Sequence, residues 1–289
     1  MQSIKTIYKI GPGPSSSHTF GPMMASKYIN EQYPDATHFK ITLFGSLALT
    51  GKGHLTDKII LKTLGASKCE IIFDMKTAVE HPNTMIIEVF DNDTKIAQHT
   101  FVSIGGGKIE IDGKKDNVDP EIYPHTKMDD IQVYCNERHL RLDQYIDEVE
   151  DSDFDSYMNQ IFKQMLKTVN TGLKKTGVLP GSLKIDRVAH ALHQSAQSCS
   201  DIQDKNSLLL SSYAYAANEQ NASGGIVVTA PTMGSCGVLP SLVYHFYHDQ
   251  KYPKKTLIQG LKVAGLIGNL IHTNATMSGA NAGCQADVG

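Results

Sequence analysis

The stretch Asp147-Glu-Val-Glu-Asp-Ser-Asp-Phe-Asp155 separates two patterns of sequence in this chain. It carries too much negative charge for a hydrophobic core, and such runs commonly lie between folded regions. We therefore predict a domain boundary at residue 150, with one domain over residues 1–150 and a second over residues 151–289. An alternative stays open, because carboxylates at this point would also stabilise the positive end of the helix that follows.

Before the boundary, short β-rich segments alternate with turns containing Gly, Asn and Asp. The segments predict strands, and the turn Asp91-Asn92-Asp93 predicts a hairpin because Asn and Asp tolerate positive φ. The predicted strands cover residues 41–44, 69–73, 84–90, 100–104 and 108–111, and the predicted helices cover residues 21–32 and 54–64. This half is therefore predicted to be an α+β fold with a partly antiparallel sheet.

After the boundary, apolar residues recur at the spacing of amphipathic helices. The patterns predict helices over residues 154–174, 185–198, 208–218, 239–247 and 256–273. Short Gly-rich joints separate these segments. This half is therefore predicted to be all-α.

Composition excludes several classes of function. The 289 residues include 27 Lys or Arg and 30 Asp or Glu, for a net charge of −3, so we predict no nucleic-acid partner. No apolar run approaches the roughly 18 residues of a membrane span, which predicts no membrane partner and a cytoplasmic location. Five scattered cysteines without a C-x-x-C pair argue against a disulfide framework and a closed zinc site.

The first candidate site is Gly11-Pro-Gly-Pro-Ser15-Ser16-Ser17-His18-Thr19. Its prolines fix the backbone, and its hydroxyls and imidazole could hold a carboxylate of a small polar ligand. From the pattern alone we favour the alternative that a Ser or Thr caps the helix beginning near Gly21.

A second imidazole lies in Gly51-Lys-Gly53-His54, a flexible turn from which it could act as a general base near neutral pH. The glycines lack the full spacing of a phosphate-binding or dinucleotide motif. A bulge or bend between strands is the simpler explanation of Gly105-Gly-Gly107.

Two further stretches are candidates. Thr229-Ala-Pro-Thr232 precedes a helix, so its hydroxyls and N–H groups could bind an anion, although it could also be a plain connection with Cys236 as a buried thiol. Asn274, Ser278 and Cys284 belong to a C-terminal stretch dense in uncharged polar residues, which predicts a polar-lined site or, alternatively, a solvated face.

Together these segments resemble the iron–sulfur L-serine dehydratases, or L-serine ammonia-lyases. The matching stretches run in the family's order along nearly the whole chain: GPGPSSSHTFGPM, LFGSLALTGKGHLTDK, HPNTM, SIGGG, TGVLPGSLK, NEQNASGG, TAPTMGSCGVLP and NATMSGANAGCQADVG. The resemblance implies the single-chain bacterial type, in which an α+β domain related to allosteric domains precedes an all-helical catalytic domain with a [4Fe-4S] cluster. It also implies a homodimer that acts in amino-acid catabolism and feeds gluconeogenesis.

The implied reaction is β-elimination of water from L-serine to give pyruvate and ammonia. Because the α-proton is weakly acidic and hydroxide is a poor leaving group, the reaction needs a base and a Lewis acid. By the resemblance, Cys284 is a cluster ligand, His54 is the first candidate base and His18 the second. The candidate contacts to L-serine are Ser15, Ser16, Ser17, Thr19, Thr229, Thr232, Asn274 and Ser278. The family's other cluster ligands would lie beyond Gly289, so we expect this sequence to be a C-terminally truncated piece.

Three rival interpretations remain at this point. Gly181-Ser-Leu-Lys184 is superficially similar to the lysine segment of pyridoxal-phosphate dehydratases, but no phosphate cup follows it and we expect no pyridoxal phosphate. A non-catalytic module for serine binding and oligomerisation is compatible with the missing thiolates. A relative directed to L-cysteine is the third.

Overall fold

The computed structural model describes residues 1–115, 119–230 and 232–274. The chain divides into two compact units. The first, here called the sheet unit, comprises Pro12–Val118. The second, here called the helical unit, comprises Met1–Gly11 together with Asp119–Gly289. The protein thus combines α and β structure, as the sequence predicts.

The elements follow one another in this order. The first part contains β1 (Ile10–Pro12), a π-helix (Ser16–Phe20), α1 (Gly21–Gln32), β2 (His38–Phe44), α2 (Gly45–Thr50), α3 (Thr56–Leu64), β3 (Cys69–Asp74), β4 (Thr84–Asp91), β5 (Thr94–Gly105), β6 (Lys108–Ile111) and β7 (Lys114–Lys115). The second part contains α4 (Met128–Glu137), α5 (Leu142–Val149), α6 (Phe154–Gly172), α7 (Ala189–Ser198), α8 (Ile202–Ala222), β8 (Ile226–Val228), α9 (Val238–His248) and α10 (Lys254–Asn274). Single 3-10 turns occupy Ile4–Thr6 and Ala66–Lys68.

The sheet of the sheet unit has the strand order β3-β2-β4-β5-β6-β7. β2 and β3 are parallel, and the other neighbouring strands are antiparallel, which confirms the predicted partly antiparallel sheet. The predicted hairpin joins β4 to β5, and Asn92 in its turn adopts φ 51°.

Alternation along β2 places one face of the sheet in the core. Phe39, Ile41 and Leu43 are fully buried there. They share this core with Ile29 of α1 and Ile60 of α3, so these helices cover the sheet on that face. The apolar spacing that predicts α1 and α3 therefore serves this packing.

The helical unit is built around α6. Met158, Ile161 and Met165 recur at helical spacing and are fully buried. They share one core with Leu261 and Leu266 of α10. Besides its helices, this unit contains a two-stranded sheet of β1 and β8, which the prediction of an all-α half does not include.

The contacts divide the chain between residues 118 and 119, earlier than the boundary predicted at residue 150. The physical reason is burial: Ile131 of α4 and Ile146 of α5 are fully buried in the same core as Met158 of α6. The acidic run therefore connects two helices inside the helical unit.

Two carboxylates of that run form ion pairs with a buried lysine. Asp147 and Asp155 lie 2.5 and 2.6 Å from the ammonium of Lys262 on α10, whose side chain is 6% exposed. Asp153 precedes α6 but forms no side-chain cap, while Asp155 lies in the first turn of that helix. The run thus joins α5, α6 and α10.

The first residues of the chain also belong to the helical unit. Glu150 accepts hydrogen bonds from the hydroxyl of Ser3 at 2.6 Å and from the backbone N–H of Ile4 at 2.8 Å. The hydroxyl of Tyr8, 1% exposed, donates to the carbonyl of Leu261 at 2.8 Å. These contacts link residues far apart in sequence, so no local pattern predicts them.

Two predicted helices start later than expected: α3 begins at Thr56 instead of residue 54, and the shift of α7 is larger. The pattern over residues 185–198 predicts a helix from its first residue, but α7 begins at Ala189. Val178 pairs with Asp186 in an antiparallel bridge, and the N–H of Leu179 donates to the carbonyl of Ile185 at 2.8 Å. These contacts hold residues 178–186 in an extended loop. None of the helices in the described ranges is both long and apolar enough for a membrane span.

Candidate functional site

His18 lies in the π-helix that leads into α1. The side chain of Ser15 accepts a hydrogen bond from the backbone N–H of His18 at 3.1 Å, so Ser15 is the N-cap. Ser15 thus caps the π-helix, whereas α1, which begins at Gly21 as the capping alternative expects, follows Phe20 and has no side-chain cap. The N–H of Phe20 donates to the carbonyl of Ser15 at 3.0 Å, the i to i+5 pattern of a π-turn. Such turns are frequent at functional sites.

Two glycines allow this segment to lie against the sheet. A Cβ on Gly21 would lie 2.0 Å from Oγ of Ser103 on β5. Gly107 adopts φ 73°, and a Cβ there would lie 2.6 Å from the ring of Phe20. The register also shifts between Ser103 and Gly105, as the predicted bulge requires. The SIGGG stretch therefore packs against the π-helix that carries His18 and against the start of α1.

His54 lies in the turn between α2 and α3. Its Nδ1 lies 3.0 Å from the carbonyl oxygen of Thr50, and its backbone N–H donates to the same oxygen at 3.1 Å. A carbonyl only accepts, so Nδ1 carries the hydrogen in the neutral ring and the lone pair is on Nε2. This is the tautomer that a general base needs.

The structure brings the two histidines together. The ring centroids of His18 and His54 lie 4.7 Å apart at an angle of 40°. Nδ1 of His18 lies 2.9 Å from Oγ of Ser17, and its Nε2 lies 2.9 Å from Oγ of Ser46. Burial, together with His54, lowers the pKa of His18 to about 4. His18 is therefore neutral at pH 7.

Ser46 is a member of this cluster that the sequence analysis missed. Its backbone N–H donates to the carbonyl of Pro82 at 2.7 Å. Gly45 adopts φ 50°, and a Cβ there would lie 2.7 Å from that same oxygen. The stretches LFGSLALTGKGH and HPNTM thus meet at Ser46. Its position beside a glycine at the start of α2 was the available signal.

The hydroxyls predicted to contact substrate differ in their surroundings. Ser16 and Ser17 are half-buried, and Ser17 contacts His18. Thr19 is 1% exposed, and its hydroxyl donates to the carbonyl of His54 at 2.6 Å. The hydroxyl hydrogen of Thr19 is therefore used inside the protein, and its substrate contact stays a prediction.

Thr229 and Thr232 lie in the helical unit. Thr229 is 1% exposed, and its hydroxyl donates to the carbonyl of Ile7 at 2.6 Å and accepts from the N–H of Lys9 at 2.9 Å. It therefore joins the N-terminal segment to the end of β8, and its substrate contact stays a prediction. Oγ1 of Thr232 lies 3.2 Å from Oγ of Ser235. Cys236 is fully buried, in keeping with the predicted buried thiol.

At the end of α10, the amide of Asn274 donates to the carbonyls of Thr126 at 3.0 Å and Leu270 at 2.8 Å. Ser278 and Cys284 lie outside the described residues. Over residues 1–115, 119–230 and 232–274, no three His, Cys, Asp or Glu side chains are grouped as metal ligands would be. Burial raises the pKa of Cys69 to about 11, which keeps that thiol protonated. The described residues therefore present no ligand set for a [4Fe-4S] cluster.

Comparison with known proteins gives two family matches. The family described as serine dehydratase beta chain matches residues 3–72, and the family described as serine dehydratase alpha chain matches residues 62–289. The two matches meet at residues 62–72, within the sheet unit.

Individual L-serine dehydratases match this chain over nearly its whole length. The chain is 32% identical to L-serine dehydratase 2 of Escherichia coli, with 100% of this chain and 76% of that protein covered. It is 31% identical to L-serine dehydratase of Haemophilus influenzae, with 100% and 76% covered. It is 33% identical to L-serine dehydratase of Helicobacter pylori strain J99, with 99% and 75% covered. The first alignment spans 348 positions, so that relative has segments without a counterpart among these 289 residues.

Proposed function

Because this chain belongs to the serine dehydratase family, we propose that it removes water from L-serine to give pyruvate and ammonia. The observation that supports this most directly is the contact between His18 and His54 in the sheet unit. A neutral imidazole with a defined tautomer is a suitable base for the α-proton of an amino acid.

His54 is the proposed base. Its Nδ1 donates to the carbonyl of Thr50, so the lone pair that accepts the α-proton is on Nε2. Loss of this proton and of the β-hydroxyl as water leaves aminoacrylate. Aminoacrylate tautomerises to the imine, and water hydrolyses the imine to pyruvate and ammonia. Each proton removed by His54 returns to the leaving hydroxide or to solvent before the next turnover.

His18 supports the protonation of His54 by staying neutral. A cationic ring 4.7 Å away would oppose the charge that His54 acquires when it takes the proton. The low pKa of His18, caused by burial and by His54, avoids this repulsion at neutral pH. The hydroxyls of Ser17 and Ser46 contact the two ring nitrogens of His18 and so fix the orientation of this ring beside His54. Ser16 and Ser17 remain the proposed contacts to the substrate carboxylate.

The [4Fe-4S] cluster is part of this proposal through the family. When bound, it supplies the Lewis acid that helps the β-hydroxyl to leave. Cys284 is the proposed ligand in this chain, Asn274 and Ser278 are proposed neighbours of the substrate, and Thr232 is a proposed contact on its loop. A cytoplasmic homodimer is the proposed form of the enzyme.

The test is anaerobic reconstitution with iron and sulfide of these 289 residues and, in parallel, of the gene product read to its natural stop codon, followed by assay of both with L-serine. We expect pyruvate and ammonia in equal amounts, no product from D-serine, and loss of iron in the Cys284→Ala variant. L-cysteine is assayed in parallel. A protein that holds iron but forms no pyruvate from L-serine would contradict the proposed reaction.

A further inference from the structure

The two histidines are linked by a reciprocal pair of hydrogen bonds from threonine. The hydroxyl of Thr19, the residue after His18, donates to the carbonyl of His54 at 2.6 Å. The hydroxyl of Thr56, two residues after His54, donates to the carbonyl of His18 at 2.5 Å. Each histidine backbone is thus held by a side chain from the other histidine's segment.

Both carbonyls need such a donor because the regular backbone donor is missing or used elsewhere. Four residues after His18 the chain has Pro22, which has no N–H to donate. Four residues after His54 the N–H of Lys58 donates to Oδ1 of Asp57 at 2.8 Å. The threonine hydroxyls therefore supply hydrogen bonds to oxygens that the adjoining helices leave without their usual i+4 donor.

The two threonines are shielded from water. Thr19 is 1% exposed and Thr56 is 0% exposed. Water does not compete for hydrogen bonds at such positions, and an unpaired carbonyl there is unfavourable. The geometry of the pair is therefore well defined.

Thr56 is itself fixed by the turn that carries His54. Its N–H donates to the carbonyl of Gly51 at 2.9 Å. A Cβ on Gly51 would lie 3.2 Å from Oγ1 of Thr56 and 2.2 Å from the carbonyl oxygen of Leu47. Only glycine lets the chain turn this closely. Leu55, between His54 and Thr56, adopts φ 58°, so this turn has a specific backbone shape.

We propose that Thr19 and Thr56 are positioning residues, which hold the imidazoles of His18 and His54 at the separation that proton abstraction requires. This inference rests on the proposed function, because it concerns the same two histidines. It gives Thr56 a role that the sequence does not indicate, and it proposes a positioning contact for Thr19 in place of the predicted substrate contact.

The experiment uses the full chain with Thr19→Val, Thr56→Val and the double variant. Valine keeps the shape of threonine and removes the hydroxyl. The first readout is NMR titration of the histidine ring signals in the protein before iron is added. We expect the low pKa of His18 to move towards the ordinary histidine value in each valine variant, because a loosened segment exposes the His18 ring to water and separates it from His54. The second readout is kcat after reconstitution, which we expect to fall at least tenfold with KM changed less than twofold.

Serine variants are the matched controls, since Thr→Ser retains the hydroxyl. Thr19→Ser and Thr56→Ser should titrate as the unchanged protein does. If the valine variants fail to fold, Thr→Ala is compared with Thr→Ser, and the proposal requires that only alanine shifts the His18 titration. Folded valine or alanine variants with an unchanged His18 titration would overturn the positioning role. Full activity of a His54→Asn variant would instead defeat the proposed function and leave the NMR test of the threonines intact.

Discussion

Nε2 of His18 lies 2.9 Å from Oγ of Ser46, while Ser17 contacts the other ring nitrogen at 2.9 Å. One serine therefore donates to the neutral ring and the other accepts from it. Protonation of His18 would turn both ring nitrogens into donors and place a charge beside His54. Burial of the ring, together with the nearby His54, therefore favours a neutral His18 and connects the stability of the sheet unit to pH.

We predict that stability falls as the pH is lowered from about 6.5 to about 4. The pKa of His18 is lowered to about 4 in the folded state, whereas an unfolded histidine titrates near 6.5. Between these values the unfolded chain binds more protons, so acid favours unfolding, by at most about 1.4 kcal/mol per pH unit. Urea unfolding at pH 7 and pH 5 measures this. The His18→Asn variant should lose this contribution, and an equal pH dependence in both proteins would contradict the prediction.

We predict an asymmetric response at Lys262. Burial lowers the pKa of its ammonium, but Asp147 and Asp155 together raise it overall. The two carboxylates are 53% and 76% exposed, so Lys262→Met leaves them solvated and should change the free energy of unfolding by about 1 kcal/mol or less. The double change Asp147→Asn and Asp155→Asn leaves a buried ammonium without its partners and should destabilise by about 3 kcal/mol. Urea midpoints compare the variants, and equal midpoints would refute the asymmetry.

Gly107 and Gly113 offer a matched pair. Both adopt positive φ, 73° and 76°, but a Cβ on Gly107 would lie 2.6 Å from the Phe20 ring, whereas a Cβ on Gly113 would meet nothing within 4 Å. Gly113→Ala should destabilise by about 1 kcal/mol through φ alone, and Gly107→Ala by about 2–3 kcal/mol. Thermal unfolding gives both values. If the two variants unfold at the same temperature, Phe20 is not held against Gly107 as described.

Thr229→Val tests the assignment of that hydroxyl. Loss of its hydrogen bonds to Ile7 and Lys9 should destabilise the helical unit by about 1–3 kcal/mol. KM for L-serine should stay within twofold, since the hydroxyl is used inside the protein, and Thr229→Ser should restore stability. A large rise in KM in a folded variant would support the substrate contact that the sequence suggested instead.

The sequence predicts the parts of the fold whose signals are local. Residues 21–32 are predicted as a helix and form α1 with the same bounds, because its apolar residues recur at helical spacing and Pro22 lies at its start. The β4–β5 hairpin is also predicted from a local signal, because Asn92 tolerates the positive φ of its turn. The division at residue 118 cannot be predicted from local signals. Ile146 and Met158 pack in one core, although the acidic run between them suggests a domain boundary.

In the candidate site, too, local sequence signals predict the motifs but not the contacts between them. The motifs that contain His18 and His54 are visible in the sequence, but their contact depends on how α1 and α3 pack. Thr56 could not be identified in advance, because its role depends on the missing N–H of Pro22 in a different segment. Ser46 likewise depends on the turn at Pro82. The candidate site is therefore assembled by contacts between segments rather than by a single motif.

The proposed role of His54 as the base is tested most directly by a comparison of His54→Asn with His139→Asn. His139 is exposed and adopts φ 54°, which Asn tolerates, so His139→Asn controls for loss of a histidine without disturbing the fold. Pyruvate formation from L-serine is measured after anaerobic reconstitution to equal iron content. We predict that His54→Asn lowers kcat by about 10²–10⁴-fold, whereas the kcat of His139→Asn equals that of the unchanged protein. An unchanged kcat in His54→Asn at equal iron content would contradict it.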